Sequence, residues 1–372
     1  KLYSAVQLRL RADVKIGVLI SGGVDSSIVT SFACLSNKVK NNLIFYTIKE
    51  LSDDFKYAKI LAKSLGIKLR VISMEFNSDK EFTKFVNKSA EHFEVPINYS
   101  VVSLPSYIIY KEIAKDGVKV VIDGTGGDEI FSCYDSDLKT IFLNNLNNLK
   151  LVNFYKYYKL FYRNVGLISK LANILKLILI KSKRVNNPNK LINNRYNLFR
   201  KLFKKNFLSI FNNQLSNSKI LKIDNLYDMH IYLINHGMLK NFLVLNDRYS
   251  MMNSIEVRSP LLDYRLFSYI KLPLNYKYNK GYSKYILRKV MPKNVPDKLR
   301  WRKTKQGFAS SGYIKLNKIY YTHMISEIKS SKLLNKIIDV DELVKNFDNK
   351  YDDVIDNLHS LAVLDNKYKL KI

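Results

Sequence analysis

A short apolar run at residues 15–20 leads directly into the segment Ser-Gly-Gly-Val-Asp-Ser-Ser at residues 21–27, and a mostly apolar run follows to residue 35. This order predicts a buried strand, a glycine-rich turn and a helix. Glycines without a Cβ let backbone N–H groups approach an anion closely, and the helix N-terminus adds a positive dipole at the same place. The segment therefore predicts a phosphate-binding loop. Its predicted ligands are Ser21, Gly22, Gly23, Ser26 and Ser27.

An aspartate, Asp25, stands inside this loop, where a bare carboxylate would repel a phosphate. A bridging Mg²⁺ would remove that repulsion, since Mg²⁺ is commonly held by carboxylates together with substrate phosphates. A second glycine-rich turn at residues 124–127 also follows an apolar run and leads into Asp128. We predict that Asp25 and Asp128 share a Mg²⁺, the alternative being that each merely caps a helix.

The first third of the chain alternates between strand-like and helix-like segments. Such alternation predicts an α/β fold with a doubly wound parallel sheet, whose ligands bind beyond the carboxyl ends of the strands. Both glycine-rich turns lie at such ends. The predicted strands are residues 15–20, 43–48, 68–72 and 119–122, and the predicted helices are residues 26–35, 55–65, 79–93 and 104–116, with Gly66 and Gly117 as helix-ending residues.

The composition changes after residue 138. Residues 139–223 contain 18 Lys or Arg and no Asp or Glu, with apolar residues at helical spacings. We predict three parts: a nucleotide-binding α/β domain at 1–138, a basic helical insert at 139–223, and a mostly helical C-terminal part at 224–372. A solvated basic face is the favoured interpretation of the insert, and a surface for anionic lipid or RNA is the alternative.

The formal net charge is +30, and two interpretations of it stay open. One is a partner rich in phosphate. The other, which we favour, is a compositional bias toward Lys, Asn, Ile and Tyr, as an AT-rich genome produces. Cys34 and Cys133 cannot form a disulfide framework or a zinc cluster, which favours a reducing, cytoplasmic location. The sequence has no apolar run long enough for a transmembrane segment and opens with no secretory signal.

The loop at residues 21–27 lacks the Gly-Lys-Ser/Thr of a Walker A motif. It resembles the PP-loop of ATP pyrophosphatases, which hold the β- and γ-phosphates while the α-phosphate is attacked. That superfamily includes asparagine, argininosuccinate, GMP and NAD synthetases and tRNA-thiolating enzymes. The resemblance implies ATP as a substrate and adenylation as the first step.

Four further segments resemble the asparagine synthetase family specifically, in order and in spacing. Together with the loop, they extend the resemblance over about residues 2 to 365. The segments are residues 123–134 (Asp-Gly-Thr-Gly-Gly-Asp-Glu-Ile-Phe ending near Tyr134), residues 246–263 (with Glu-Val-Arg-Ser-Pro-Leu-Leu-Asp), residues 283–296 (Ser-Lys, Leu-Arg and Pro296) and residues 302–308 (Arg-Lys-Thr-Lys-Gln-Gly-Phe).

This resemblance implies roles for further residues. Lys305 and Arg302 would neutralise charge that builds on the leaving pyrophosphate. Glu256 and Arg258 would form a buried pair that shapes the substrate pocket, or one of them would touch substrate. The residues expected to pack on or line the nucleotide are Ile20, Ile48, Asp123 and Gly124.

Thr125 departs from the family pattern. Asparagine synthetases usually carry glutamate between the two glycines, facing the acyl group and the incoming ammonia, and the related β-lactam synthetases carry tyrosine. Threonine cannot act as a carboxylate base at neutral pH. The departure bears on the acceptor and on the nitrogen nucleophile more than on adenylation.

The reaction implied is adenylation of a carboxylate, with aspartate favoured, followed by attack of ammonia or another amine to give an amide. Glutamine-dependent members carry an upstream glutaminase domain that begins with a catalytic cysteine, and nothing in this sequence corresponds to it. Ammonia would come from such a domain or from a separate source. No nucleic-acid partner is expected, and a homodimer is compatible with the sequence.

Three alternatives stay open at this point. A related synthetase could use another acceptor, as in β-lactam formation, peptide cyclisation or sugar amidation. A tRNA-modifying PP-loop enzyme would use the basic charge, although no cysteine pair suited to sulfur transfer is present. A non-catalytic protein that kept the fold is the third alternative, with Thr125 as its motivation.

Overall fold

The computed structural model describes residues 1–36, 42–49, 52–73, 79–93, 103–132, 201–208, 225–303, 318–345 and 352–370, with single positions at 141, 145, 150, 152, 155 and 223. Two compact units are formed. Unit 1 comprises Lys1–Met74, Pro105–Ile174 and Leu221–Ser311, and unit 2 comprises Glu75–Leu104, Leu175–Ile220 and Gly312–Ile372. The predicted division at residue 138 falls outside the described residues and stays a prediction.

A five-stranded parallel sheet forms the centre of unit 1, in the order β3-β2-β1-β4-β5. The chain fills one side of β1 with β2 and β3 and then crosses to the other side with β4, which is a doubly wound arrangement. The α/β fold class predicted from the sequence is confirmed. The strands are β1 Ile16–Leu19, β2 Leu43–Ile48, β3 Leu69–Ile72, β4 Val120–Ile122 and β5 Glu256–Arg258.

The first four strands lie within the segments predicted from the sequence. The fifth, β5, was missed because it has only three residues and interrupts a region of helical periodicity. It pairs in parallel with β4, Val120 opposite Glu256 and Ile122 opposite Arg258. The C-terminal part is therefore mostly helical, as predicted, but it also supplies an edge strand to the sheet.

The helices of unit 1 alternate with the strands in the first third of the chain and follow one another after β5. Gly66 and Gly117 follow two of them with φ of 63° and 72°, the left-handed conformation that favours glycine at helix ends. Two 3₁₀ segments, Pro260–Leu262 and Tyr264–Lys271, follow β5. The helices are α1 Leu2–Arg9, α2 Val24–Cys34, α3 Ser52–Leu65, α5 Ser103–Lys115, α6 Gly127–Phe131, α7 Leu226–Asn235, α8 Met238–Met251, α9 Leu274–Lys277, α10 Tyr285–Val290 and α11 Asp297–Arg300, with α4 assigned to unit 2.

The core of unit 1 lies between the sheet and these helices. Ile16 and Val18 of β1, Ile28 of α2, Leu61 of α3 and Leu266 are each fully buried in it. Burial of one such side chain stabilises a fold by about 1.5–3 kcal/mol. Because the core holds β1 and α2 rigidly, the loop between them is fixed at both ends.

Among its described residues, unit 2 consists of helices and an isolated antiparallel bridge between Phe203 and Ile338. Asp365 joins the helix Asp352–Tyr368 to the start of the helix Lys332–Ile337, because its Oδ2 accepts hydrogen bonds from Ser331 Oγ at 2.8 Å and from Leu333 N at 2.9 Å. The helices are α4 Asp79–Phe93, α12 Lys318–Ser330, α13 Lys332–Ile337, α14 Val340–Lys345 and α15 Asp352–Tyr368.

The basic segment at residues 139–223 lies mostly outside the described residues, and its predicted helical character stays a prediction. In the part of the chain that the structure describes, none of the helices combines the length and the apolar character needed to cross a bilayer.

Candidate nucleotide site

The two glycine-rich turns meet at one edge of the sheet, since they follow the neighbouring strands β1 and β4. A Cβ added to Gly124 would lie 2.6 Å from the backbone nitrogen of Ser26, and one added to Gly127 would overlap the Asp25 carboxylate. The absence of side chains at both glycines therefore permits the close approach of the turns. They meet where the strand order reverses, which is the usual ligand site of a doubly wound sheet.

Hydroxyl groups hold the first turn together from within. The Oγ atoms of Ser21 and Ser26 lie 2.9 Å apart, and Ser26 Oγ also accepts a hydrogen bond from Ser21 N at 3.2 Å. Ser26 Oγ donates to Gly23 O at 3.3 Å. Gly22 has a φ of 74°, which a residue with a side chain rarely adopts. These contacts fix the backbone path of the loop that was predicted to bind phosphate.

The loop ends at the N-terminus of α2. Gly23 is the N-cap, no side chain caps the helix, and the first intrahelical bond runs from Ser27 N to Gly23 O at 3.0 Å. The preceding N–H groups of the first turn have no intrahelical acceptor, which is the arrangement that binds anions. Asp25 lies in this first turn and does not cap the helix. Ser27 is fully buried, and its Oγ has no hydrogen-bond partner among the described residues.

The carboxylates of Asp25 and Asp128 converge on one ammonium group, that of Lys284. Lys284 Nζ donates to Asp25 Oδ2 and lies 2.9 Å from Asp128 Oδ2. Asp128 belongs to the first turn of α6, directly after the second glycine turn. Lys284 immediately precedes α10 and has a φ of 52°, an uncommon conformation for a residue with a side chain. Lys284 lies in the family-like segment at residues 283–296, and the sequence did not predict a role for it.

The buried position of Lys284 is electrostatically tolerable only because of these two partners. Burial by itself would lower the pKa of the Lys284 ammonium, but the charges of Asp128 and Asp25 and the hydrogen bonds to them raise that pKa above its usual value. The ammonium is therefore charged throughout the physiological range.

Two arginines fix the backbone that carries Lys284. The Arg288 guanidinium donates from Nε to Ser283 O at 2.7 Å and from Nη1 to Arg300 O at 2.6 Å and Arg302 O at 2.9 Å. Burial lowers the pKa of Arg288 to about 10, which leaves it charged at neutral pH. Arg300 returns a hydrogen bond to Arg288 O at 3.0 Å. The third family-like segment is thus joined to the fourth through main-chain carbonyls.

Arg302 lies against the back of the phosphate loop. Its Nη1 donates to Gly22 O at 3.0 Å, its Nη2 pairs with the buried Asp54, and its guanidinium stacks 4.1 Å from the centre of the Tyr57 ring. Both members of the ion pair are almost fully buried. The sequence predicted a charge that neutralises pyrophosphate, whereas the structure shows a charge paired with Asp54 and bonded to the loop backbone. Asp54 carried no signal in the sequence that could have identified it.

Asp123 organises the second turn. Its Oδ2 accepts a hydrogen bond from Thr125 Oγ1 at 2.5 Å, and its Oδ1 accepts from Ser259 Oγ at 2.7 Å and from Thr125 N at 3.2 Å. Burial raises the pKa of the Asp123 carboxyl, and these hydrogen bonds oppose that rise. Thr125, the departure from the family pattern, is therefore part of the turn itself.

Ile20 and Ile48 lie at the carboxyl ends of β1 and β2. Both are nearly buried, and Ile20 N donates to Tyr46 O at 2.8 Å, which extends the strand pairing by one residue. They flank the edge where the phosphate loop begins, and their predicted packing on a nucleotide stays a prediction.

The predicted pair Glu256–Arg258 exists, but the expectation that it is buried is wrong. Arg258 Nε donates to Glu256 Oε1 at 2.8 Å, and the Glu256 side chain is 59% exposed. Arg258 Nη1 also donates to the carbonyls of Arg9 and Arg11, both at 2.8 Å. β5 is the edge strand of the described sheet, and no described element buries the Glu256 side chain. The structure shows this pair joining β5 to the chain after α1.

A buried lysine supports the helix that carries Asp128. Lys277 Nζ donates to Ile270 O at 2.9 Å and to Ile130 O at 3.3 Å, and it lies 2.5 Å from His230 Nε2. His230 Nδ1 lies 2.7 Å from Glu129 O. Burial, and then the charge of Lys277, lower the pKa of His230 to about 3, so the imidazole is neutral and donates from Nδ1. No sequence motif pointed to this pair.

Lys305, the predicted catalytic lysine, lies outside the described residues, as do the other residues of 304–308. Of the predicted site residues that the structure does describe, most gather around the two turns, and Glu256 and Arg258 bond instead to each other and to Arg9 and Arg11.

Asp25 and Asp128 offer donors that suit a divalent cation. Asp25 Oδ1 is buried without a hydrogen-bond partner among the described residues, and a hard carboxylate oxygen in that state is a fitting ligand for Mg²⁺. Among the described residues no group of three or more His, Cys, Asp or Glu could hold a metal. Mg²⁺ is usually bound by one or two carboxylates plus substrate phosphates, so two carboxylates are sufficient.

We expect Gly124→Ala to weaken nucleotide binding about tenfold or more and to lower the melting temperature, because the new methyl would overlap the backbone nitrogen of Ser26 and overpacking costs about 1–3 kcal/mol. Calorimetry with MgATP and thermal unfolding measure the two effects. Gly117→Ala is the control, since a Cβ there meets nothing within 4 Å and only the left-handed backbone is strained. Normal nucleotide binding by Gly124→Ala would contradict the close contact of the turns.

Comparison with known proteins places this geometry in a family. The family model described as asparagine synthase matches residues 1–365. Asparagine synthetase [glutamine-hydrolyzing] 1 of Bacillus subtilis is 27% identical over 82% of this chain and 48% of its own length. Asparagine synthetase [glutamine-hydrolyzing] of Zea mays is 35% identical over 35% of this chain and 23% of its own length. Amidase chyE of Penicillium rubens is 28% identical over 37% of this chain and 22% of its own length.

Each of these matches covers less than half of the relative's own length, so this chain corresponds to a part of each relative. The family match, by contrast, spans nearly all of the chain and includes both glycine turns and the segments around Lys284 and Arg302. The chain belongs to the asparagine synthase family.

Proposed function

We propose that this chain is an ATP-dependent amide-forming ligase. A carboxylate oxygen of the acceptor attacks the α-phosphorus of ATP, and the bond from that phosphorus to the bridging oxygen of pyrophosphate breaks. An amine then attacks the acyl carbon of the acyl-adenylate, AMP leaves, and the amine loses a proton. Aspartate as acceptor and ammonia as amine give asparagine, which is the favoured reaction.

The observation that carries this proposal is the junction of the two glycine turns. It combines the backbone N–H groups of the first turn of α2, which have no intrahelical acceptor, with two carboxylates, Asp25 and Asp128, at the reversal point of the strand order. Backbone donors suit the β- and γ-phosphates of ATP. Mg²⁺ held by the two carboxylates would supply charge neutralisation of the phosphates.

The remaining residues divide between the nucleotide and the backbone of the site. Ser21 and Ser26 shape the loop, and Ile20 and Ile48 flank it for contact with the nucleotide. Arg302 acts by positioning Gly22 rather than by touching phosphate, because its charge is paired with Asp54. Lys305 remains the lysine that we assign to the leaving pyrophosphate, on the family resemblance alone.

The proposal for the nitrogen source is supported by the relatives rather than by this site. The Bacillus subtilis and Zea mays proteins are described as glutamine-hydrolyzing, and this chain matches less than half of each. We infer that ammonia reaches this site from a glutaminase domain or a separate protein. A cytoplasmic location fits a ligase that consumes ATP and an amino acid.

A related synthetase with another acceptor is the second candidate, favoured by Thr125. The Thr125 hydroxyl donates to Asp123 and lies where the family usually carries a glutamate. The relative described as an amidase belongs to the same group of matches, so variation of the acceptor within such chains is reasonable.

Product analysis distinguishes the two candidates. The protein is incubated with MgATP, ammonium and a set of carboxylates, and pyrophosphate, AMP and amide are followed together. Asparagine formed in proportion to AMP with aspartate supports the favoured reaction. Amide formed only with another carboxylate supports the second candidate, and ATP turnover to ADP and phosphate would contradict both.

Thr125→Glu is expected to raise the rate at which ammonium consumes the acyl-adenylate in a single turnover by about a hundredfold, because the new carboxylate can act as a general base. Pyrophosphate release should change little, because the phosphate loop and its carboxylates are untouched. Thr125→Gln is the matched control, since it has the size of glutamate without its charge. Equal single-turnover rates in the two variants would show that a carboxylate at position 125 has no part in the second step.

A further inference from the structure

Lys284 occupies the space between the two carboxylates that we assign to the metal. Its ammonium bonds to Asp25 Oδ2 and to Asp128 Oδ2, and the side chain is 7% exposed. The three residues come from α2, α6 and the segment before α10, so one buried cation joins three separate parts of unit 1. Without Lys284 the two carboxylates would lose the cation that they share, and like charges held close together are costly.

An ammonium and a divalent cation cannot share this space. Mg²⁺ requires its oxygen ligands at about 2.0–2.1 Å in near-octahedral order, and an ammonium bonded to the same carboxylates fills the volume between them. Lysine suits temporary occupation, because its charge sits on a flexible stem of four methylene groups and has no fixed planar fork like that of arginine.

We propose that Lys284 is a placeholder cation: in the nucleotide-free protein its ammonium occupies the metal position between Asp25 and Asp128, and it must leave that position when the metal arrives with the nucleotide. This inference rests on the proposed function, since it takes the metal assignment from it. Lys284 and the metal are then competitors for the same carboxylates. The free protein binds a divalent cation weakly, and ATP phosphates favour the exchange by offering ligands to both cations.

The test measures Mn²⁺ binding to the full chain without nucleotide, by electron paramagnetic resonance of the free ion. Lys284→Met is expected to bind Mn²⁺ at least about tenfold more tightly than the wild type, because the competing ammonium is gone. Lys289→Met is the matched control, since that lysine lies in α10, the helix that directly follows Lys284, and is exposed. It should bind like the wild type. Equal or weaker binding by Lys284→Met would overturn the proposal.

Lys284→Met removes the cation that the two carboxylates share, and repulsion between them can prevent folding of this variant. Asp128→Asn and the double variant Lys284→Met/Asp128→Asn avoid that repulsion and each retain Asp25. The placeholder predicts tighter Mn²⁺ binding in the double variant than in Asp128→Asn alone. Equal affinities in this second pair would overturn it.

The Mn²⁺ measurement and the product analysis fail separately. If the wild type forms no amide but Lys284→Met binds Mn²⁺ more tightly, the placeholder proposal stands and the proposed reaction is contradicted. If the wild type forms amide and binds Mn²⁺ as tightly as Lys284→Met does, the proposed reaction stands and the placeholder proposal is contradicted.

Discussion

Asp25→Asn is expected to lower the rate of pyrophosphate release from MgATP by at least about a hundredfold. The substitution keeps the size of the side chain but removes the negative charge of a carboxylate that we assign as a metal ligand. Loss of one electrostatic group in such a site lowers the rate by a factor of about 10²–10³. The substitution also leaves Lys284 with Asp128 as its remaining carboxylate among the described contacts. Steady-state release of pyrophosphate at saturating acceptor measures the effect.

The control for this substitution is Asp53→Asn. Asp53 lies in the first turn of α3 and its side chain is exposed, so the same chemical change there should leave the rate near that of the wild type. If Asp25→Asn and Asp53→Asn release pyrophosphate equally fast, the Asp25 carboxylate is not needed for the reaction, and its assignment as a metal ligand is contradicted.

Arg302→Met is expected to destabilise unit 1 by about 3–5 kcal/mol, because it leaves the buried carboxylate of Asp54 without the guanidinium. The same substitution removes the hydrogen bond that holds Gly22 O, so nucleotide binding should weaken as well. The chain has a single tryptophan, Trp301, directly beside Arg302. Urea unfolding followed by its fluorescence therefore reports on this part of the molecule.

A double-mutant cycle separates the ion pair from the packing of the two side chains. Asp54→Leu together with Arg302→Met replaces both charges by apolar groups of similar size, and a buried pair replaced in this way often costs little. We expect the double variant to recover most of the stability that Arg302→Met loses, while its nucleotide binding stays weak. No recovery would mean that the guanidinium contributes through its stacking on Tyr57.

The parts of the fold that repeat a local pattern could be predicted from the sequence. Short apolar runs predicted the first four strands, and the glycine turns that follow two of them indicated the edge where ligands bind. The residues missed are those whose partners are distant in the chain. Lys284 lies 259 residues from Asp25, and one lysine among 62 Lys and Arg carries no signal of its own.

The burial of the pair Glu256 and Arg258 was also predicted wrongly, because a local pattern does not show what covers a residue in the folded protein. Glu256 and Arg258 alternate with an apolar residue, a pattern that predicts a shared face of a strand but not whether another element covers it. In the structure Glu256 lies on the edge strand β5, and its side chain is exposed. Arg302 was predicted to be part of the site, but its partner Asp54 lies 248 residues away in the chain, in α3. Without that partner, the sequence suggested a role for Arg302 toward pyrophosphate instead of toward the loop.

The most direct measurement of the central claim follows ¹⁸O from the acceptor carboxylate. Aspartate labelled in its side-chain carboxylate is incubated with the protein, MgATP and ammonium, and the products are analysed by mass spectrometry. Attack on the α-phosphorus predicts one ¹⁸O in AMP and none in pyrophosphate. Label in inorganic phosphate, with ADP as the other product, would show attack on the γ-phosphorus and would contradict the account of this site as an adenylating one.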